Sequence, residues 1–397
     1  MKVLMKGNIA LSEAAIQAGC TAFFGYPITP QNEIPEYMSV KMEPAGGVFI
    51  QAESEVAAIN MVYGAAAAGA RTMTTSSSPG MALKQEGISY LCGADLPCVI
   101  VNVARCGPGL GGILPAQSDY FQATRGGGNG DYYTPVYAPS TVQECWDFVF
   151  KSFDVADRYR TPVMILIDGM LGQMMEPVET TVHPRLDVKK TWAINGNADK
   201  RPKNTLTSLS LFGEVLESMS VERFKVYEEI TKNETMVENN VKDGDEVAIV
   251  AYGAPSRIAV NAIDELKEEG LKAGLIRPIT LWPFPNDIFS NLPKSVKHIL
   301  VAELSMGQMV EDVRLAVNGK HPVHFYGRTG GVVFEPVEIA NKVREILGKT
   351  IKPVESKGNT PAHNQKECVE AAQPPPLEDL KYLAGDSKAR NEQIGGV

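Results

Sequence analysis

No CxxC pair and no cluster of histidines occurs in this sequence of 397 residues, although it holds six cysteines and five histidines. A zinc site or an iron–sulfur cluster needs several thiolates or imidazoles converging, usually from close spacings. Cys20, Cys92, Cys98, Cys106, Cys145 and Cys368 are scattered instead, so no cluster and no metal ligand set is expected on this chain alone. They read as small buried hydrophobes of a reducing compartment. Basic tracts are missing too: 38 basic against 47 acidic residues give a formal charge of −9, which argues against nucleic acid as a partner. No apolar run is long enough to span a bilayer, "YGAAAAGA" being a superficial candidate, so no membrane partner is expected. The N-terminus "MKVLMKGNIA" has no secretory h-region, because Gly7 and Asn8 interrupt it, and the chain reads as cytoplasmic. "GPGLGG" departs from GxGxxG spacing and leads into no clear helix, which excludes a dinucleotide fingerprint.

What is present is alternation of strand and helix signals. "TAFFGYP", "GGVFIQA", "RTMTTS", "LPCVIVNVA" and "TPVMILIDG" read as strands, the last two as continuous apolar runs of a parallel sheet. Between them fall helical patterns such as "GNIALSEAAIQAGC", with Gly19 as a C-cap, and the Ala/Gly-dense "ESEVAAINMVYGAAAAGA". A parallel sheet covered by helices on both faces is expected over residues 1–180. Residues 181–242 are polar and punctuated by proline and glycine, with a charged amphipathic helix "GEVLESMSVERFKVYEEITKNETMVENN", and read as a linker. A second α/β unit follows over 243–349, where "GLIRPITLWPFP" carries proline-rich turn chemistry at a strand end. Residues 350–397, with "QPPPLEDL", have the composition of a disordered tail and are expected to form an extended arm on a partner chain.

Four stretches of the first unit follow inferred strands, where ligands gather in α/β sheets. In "YPITP", Pro27 and Pro30 bracket Thr29, fix the backbone and remove two amide donors, so this is neither a central strand nor a helix interior. Thr29 could present its hydroxyl to a ligand or bond a neighbouring amide in a turn. Glu53 and Glu55 in "QAESEVAAIN" flank a helix start, where carboxylates stabilise the dipole. The serine run of "TTSSSPGMALKQEG" could be a solvated loop or an N-cap cluster. Arg105, directly after an apolar strand in "NVARCGPGLGG", suits bidentate capture of a carboxylate.

Taken together, "GYPITP", "QAESEVAAINMVYGAA", "SSSPGMALKQEGISYL", "RCGPGLG" and "QSDYFQATRGGGNGD" resemble motifs of the α subunit of the 2-oxoacid:ferredoxin oxidoreductases, over about residues 5 to 345. The branched-chain (2-oxoisovalerate) type is nearest, with the 2-oxoglutarate type a close cousin and a non-catalytic assembly subunit the third reading. The resemblance implies a pyrimidine-type thiamine-diphosphate-binding domain and a transketolase C-terminal-like α/β domain. It implies oxidative decarboxylation of a 2-oxoacid to acyl-CoA, with thiamine diphosphate as cofactor and coenzyme A as co-substrate. Thr29 and Arg105 would then meet the substrate carboxylate, and Glu55 the aminopyrimidine ring, with Tyr26, Pro27, Ser78 and Pro79 around the cofactor. Glu53, two residues from Glu55 on a helix, cannot share its face. The family's histidine is replaced by Asn129, which cannot titrate near neutrality. The diphosphate motif GDG followed by a distant Asn is missing, as are cluster ligands. A β subunit supplying diphosphate contacts, Mg²⁺ and a 4Fe–4S cluster is therefore implied, with γ and ferredoxin-like δ subunits and ferredoxin as further partners.

Overall fold

The computed structural model describes residues 2–196 and 201–354, so the arm expected over 350–397 lies outside the described residues from 355 onward. In chain order the strands are β1 Lys2–Lys6, β2 Ala22–Gly25, β3 Val48–Gln51, β4 Thr72–Ser76, β5 Cys98–Ala104, β6 Val136–Tyr137, β7 Pro162–Asp168, β8 Met175–Glu179, β9 Val237–Asn239, β10 Val247–Val250, β11 Ala273–Pro278, β12 Thr280–Trp282, β13 His298–Glu303 and β14 Val323–Gly327. The first four helices are α1 Gly7–Gln17, α2 Glu33–Lys41, α3 Glu55–Ala67 and α4 Ser78–Gly93.

Seven strands form one sheet in the order β12-β6-β7-β5-β4-β2-β3, parallel throughout except for β12. Its strands β5 and β7 are nearly continuous apolar runs because both faces are covered, whereas β4 is rich in buried threonine. On β5, Val99, Val101 and Val103 enter a core with α1 and Trp146, whereas Ile100 and Ala104 enter the core on the other face. A second sheet runs β14-β13-β10-β11-β9, parallel apart from β9. β1 and β8 pair antiparallel as a separate ribbon. This is the α/β architecture the strand and helix signals predict.

α3 and α4 pack closely because α4 offers glycine where α3 offers bulk. A side chain at Gly87 would sit 2.5 Å from Ile59 Cγ2, and one at Gly80 would press on Glu55 Oε1. Residues 55 and 59 of one helix thus face 80 and 87 of the other. The i, i+4 spacing puts Lys84 on the same face as Gly80.

The sheets share a core and a polar seam. Gln117 donates to the Tyr252 carbonyl (3.0 Å) and accepts from the Leu304 amide (3.0 Å). The Tyr120 hydroxyl donates to Asp312 at 2.6 Å, and Arg125 pairs with Asp312 at 2.9 Å. Much of "QSDYFQATR" therefore joins the two sheets. β12 does the same from the other direction, leaving the second unit's sequence to pair antiparallel with β6.

Arg277 of β11 adds a buried fork: its two terminal nitrogens donate to both Glu144 oxygens at 2.9 and 2.7 Å, and Nε donates to Glu238 at 2.8 Å. Arg277→Met is expected to cost roughly 2 to 3 kcal/mol, less than a sealed pair, because the Glu238 side chain is 42% exposed. Urea unfolding of the purified chain checks this; a loss below about 0.5 kcal/mol, the range of an ordinary surface change, would show that the fork has no net weight.

Candidate active site

Adjacent parallel strands β5, β4, β2 and β3 all end on one edge of the first sheet. Each of the four stretches singled out from the sequence begins at one of those ends, so parallel pairing gathers them.

The "YPITP" loop leaves β2 and is tied down from four sides. Asn8 Nδ2 donates to the Pro30 carbonyl (2.9 Å), and Gln31 Nε2 donates to the Tyr26 carbonyl (3.1 Å). The Thr75 hydroxyl donates to Gln31 Oε1 (2.5 Å), and Arg105 Nη1 donates to the Thr29 carbonyl (3.0 Å). Backbone polar groups that the prolines leave without a ladder are satisfied in this way. Tyr26, Pro27 and Thr29 remain exposed on top. The Thr29 hydroxyl accepts from Asn32 Nδ2 at 3.3 Å, a long bond.

Glu55 opens α3 behind the N-cap Ser54, whose hydroxyl accepts from the Ala57 amide at 3.1 Å. Glu53 is exposed, while Glu55 is only 6% exposed. The two glutamates thus separate by burial, but not by helix face as expected, because Glu53 lies before the N-cap and outside α3. The Glu55 carboxylate lies against Gly80 at the start of α4, beside Ser76. Among the described residues it makes no hydrogen bond or ion pair, although buried carboxylates ordinarily have several. Ser76 Oγ and Ser77 Oγ are likewise buried without a partner.

Ser78 is engaged inside the protein. Its hydroxyl donates to Asp119 Oδ2 (2.6 Å) and accepts from the Arg105 amide (3.0 Å). Asn102 Nδ2 donates to the same Asp119 oxygen at 2.8 Å. Burial pushes the Asp119 carboxyl up, while the Ser78 and Asn102 hydrogen bonds oppose it. Pro79 follows Ser78 in the first turn of α4, where a missing amide hydrogen is tolerated. Arg105 is 7% exposed and ties two loops by donating to the Thr29 and Leu110 carbonyls, both at 3.0 Å, with Nε buried and unpartnered. Thr29, Arg105 and Ser78 are therefore linked, and Glu55 sits at the same helix start as Ser78 and Pro79. No side-chain hydrogen bond joins Tyr26 to this set among the described residues.

Two residues escaped the sequence reading. Asp119 orders Ser78, and Lys84 is wholly buried, donating to the Thr74 hydroxyl at 2.6 Å. Burial pulls the Lys84 ammonium down to about 7, with Glu55 opposing. The remaining glycine run packs elsewhere on α4, Gly127 and Gly128 against Gln85, and Asn129 is exposed.

A cleft of about 570 Å³ opens beside Thr29 and Pro30, walled by Ile113, Leu114, Pro115 and Met170, with Glu33 and Glu36 at its polar end. Burial pushes the Glu33 carboxyl up, but hydrogen bonds from Asn8, Gln173 and Lys6 outweigh it and leave the group below its ordinary range.

Glu55 and the Ser76 hydroxyl, both without partners and both against Gly80, suit an added planar heterocycle bearing hydrogen-bonding nitrogens, with the unpartnered Ser77 hydroxyl next in sequence. The residues present thus fit the pyrimidine side of thiamine diphosphate. No group of three or more metal-ligating side chains occurs among the described residues. Nor is any helix among them long and apolar enough to cross a membrane.

Comparison with known proteins gives first the class. Residues 13–245 match the family described as pyruvate flavodoxin/ferredoxin oxidoreductase, thiamine diP-binding, and residues 245–339 match pyruvate:ferredoxin oxidoreductase core domain II. A split-gene transketolase shares the fold, with a TM-score of 0.56 and 13% identity over 87% of this chain and 98% of that one. The chain belongs to the 2-oxoacid:ferredoxin oxidoreductases, a family of oxidoreductase subunits. It is 47% identical over 348 residues to ketoisovalerate oxidoreductase subunit VorB of Methanothermobacter thermautotrophicus, covering 87% of this chain and 98% of that protein. It is 33% identical over 376 residues to 2-oxoglutarate synthase subunit KorA of Methanothermobacter marburgensis, covering 85% and 97%. Among solved structures it resembles 2-oxoglutarate:ferredoxin oxidoreductase from Magnetococcus marinus, solved with 2-oxoglutarate, coenzyme A and succinyl-CoA bound. The TM-score is 0.78 at 28% identity, over 87% of this chain and 65% of that longer one.

Proposed function

We propose that this chain is the α subunit of a 2-oxoisovalerate:ferredoxin oxidoreductase, converting a branched-chain 2-oxoacid and coenzyme A to acyl-CoA and CO₂. The observation that carries the reading is the buried, unpartnered Glu55 carboxylate against Gly80. When bound, thiamine diphosphate supplies an acidic thiazolium carbon and an electron sink for decarboxylation. Glu55 accepts the hydrogen bond of the pyrimidine ring and so sets where that ring's proton resides. Tyr26, Pro27, Ser78 and Pro79 border the same space. Arg105 holds the Thr29 backbone in place, and its remaining donors, with the Thr29 hydroxyl, receive the substrate carboxylate. In this reading residues 1–180 face the cofactor, 181–242 link, and 243–349 serve assembly. A β subunit brings the diphosphate contacts, Mg²⁺ and a 4Fe–4S cluster, γ and δ subunits complete the complex, and ferredoxin takes the electrons. The complex is cytoplasmic.

The cleft beside Thr29 supports a branched aliphatic tail over a second carboxylate. Its walls are Ile113, Leu114, Pro115 and Met170, and its lining carries Glu33 and Glu36 but no lysine or arginine. An ionised dicarboxylate would meet like charge there, and unpaired charge is costly. The 47%-identical relative, whose name is ketoisovalerate oxidoreductase subunit, points the same way. Ferredoxin reduction by the complex assembled with its partner subunits is expected to show kcat/KM at least about tenfold higher for 2-oxoisovalerate than for 2-oxoglutarate, one to two methylene-sized contacts' worth. The isolated chain is expected to be inactive. A preference for 2-oxoglutarate would overturn the substrate assignment.

A further inference from the structure

Lysine is among the residues least often fully buried, and a buried ammonium ordinarily keeps several acceptors. Lys84 is fully buried and has one, the Thr74 hydroxyl, which itself donates to the Phe24 carbonyl at 2.6 Å. Glu55 is buried with none. The α3–α4 contact brings the two groups together: Gly80 touches the Glu55 carboxylate, Gly87 touches Ile59 one turn further along α3, and Lys84 lies on that face of α4 between them. The Glu55 charge favours the Lys84 ammonium against its burial, although the two make no direct ion pair.

We propose that Lys84 is a positioning residue, the buried counter-charge of Glu55, acting through that carboxylate on the cofactor's aminopyrimidine. The inference rests on the Glu55 reading above. Among the described residues of β2, α3, β4, α4 and β5, Lys84 is the only cation. Arg105, beyond the end of β5, donates to the Thr29 and Leu110 carbonyls, and Asp168 at the end of β7 is a carboxyl that burial pushes up. β2 and β4, which pack on α3, carry no titratable side chain. On α4, Glu86 and Tyr90 are exposed, and burial pushes the Cys92 thiol up. The Cys98 thiol on β5 is also raised by burial, and the Tyr63 phenol on α3 likewise, so all three stay neutral in the working range. A cation beside a carboxylate favours its ionised form, and removing the cation withdraws that support. The ammonium's own titration near neutrality limits the effect on the alkaline side.

The test uses the full chain assembled with its partner subunits and freed of cofactor, titrated with thiamine diphosphate and Mg²⁺ from pH 5.5 to 8.5 (about three units, set by that range) and read by calorimetry. In Lys84→Met the acidic limb of cofactor affinity is expected to move up by at least about one unit, and the alkaline decline of the wild type to disappear. Titrations of the ligand itself are common to all variants and cancel. Glu55→Gln should lose the acidic limb, and adding Lys84→Met to it should change nothing further, as for one coupled pair. The thermal midpoint of the cofactor-free complex should fall in Lys84→Met, which leaves the Glu55 charge without its cation, and should fall less when Glu55→Gln is added. A merely structural lysine would lower the midpoint equally in both backgrounds and leave the profile in place. If Lys84→Met does not assemble, Lys84→Gln, equally uncharged, is read by the same criteria. A Lys84→Met profile superimposed on wild type, with Glu55→Gln losing its limb, overturns the Lys84 proposal alone. A wild-type profile in Glu55→Gln overturns the Glu55 reading and this proposal with it.

Discussion

Glu55→Gln is expected to fold and assemble normally and to turn over at least about a hundredfold more slowly, the usual scale for a group that governs a proton. The substitution keeps the side chain's volume and one acceptor oxygen and replaces the charged second oxygen with a neutral NH₂ donor. Glu55 makes no hydrogen bond and no direct ion pair among the described residues, so the exchange breaks none. The thermal midpoint of the variant should therefore match or exceed that of the wild type, the signature of a residue kept for function at the expense of stability. A variant that is destabilised and active would assign Glu55 to the helix start and nothing more. Wild-type-like turnover would end the assignment.

The longest parallel strands were legible because burial on both faces leaves few polar positions to blur them. Cys98–Ala104 and Pro162–Asp168 are runs of this kind, and the turn residues around them mark their ends. Short elements were not. Thr280–Trp282 reads as proline-rich turn chemistry, yet it closes the edge of the first sheet, and Trp282 stacks on Tyr133 with ring centroids 4.8 Å apart. A three-residue edge strand has too few positions for period-2 alternation, and its partner lies far away in sequence. α2 was hidden for a different reason: Pro35 falls in its first turn, where proline is tolerated, directly after a loop already rich in proline.

In the site, the sequence reading separates Glu53 from Glu55 by helix face, whereas the structure separates them by the helix start itself: Glu53 precedes the N-cap and is exposed, and Glu55 is buried. Lys84 was invisible because a lysine within "GMALKQEG" fits an amphipathic helix with a solvated face; only the packing of Gly80 and Gly87 on α3 turns that position inward. Asp119 sat in a motif whose tyrosine and glutamine join the sheets, so nothing local marked it as the partner of Ser78. A carboxylate reached only through a third element cannot be read from spacing.

Arg105→Ala should raise the KM for the 2-oxoacid by roughly 10- to 150-fold, the equivalent of one charge-assisted hydrogen bond of 1.5–3 kcal/mol. Two tasks meet in this guanidinium. It fixes the carbonyls of Thr29 and Leu110, both at 3.0 Å, and so sets the distance between the "YPITP" loop and the loop after β5. Those bonds use one hydrogen on each terminal nitrogen, leaving a second on each and the Nε–H. The tasks are separable by kinetics. Loss of a carboxylate contact acts on saturation, whereas loosened loops misplace Thr29 and act on turnover. Arg105→Lys keeps the charge as a point but cannot span two carbonyls with a planar fork, so it should recover part of the KM and little of kcat. Thiamine diphosphate affinity should change little in either variant, because Glu55 stands on another strand end. An unchanged KM in Arg105→Ala with a lowered kcat would leave Arg105 as a loop tie alone, and the substrate carboxylate would then need a different cation, which the lining of the cleft beside Thr29 does not contain.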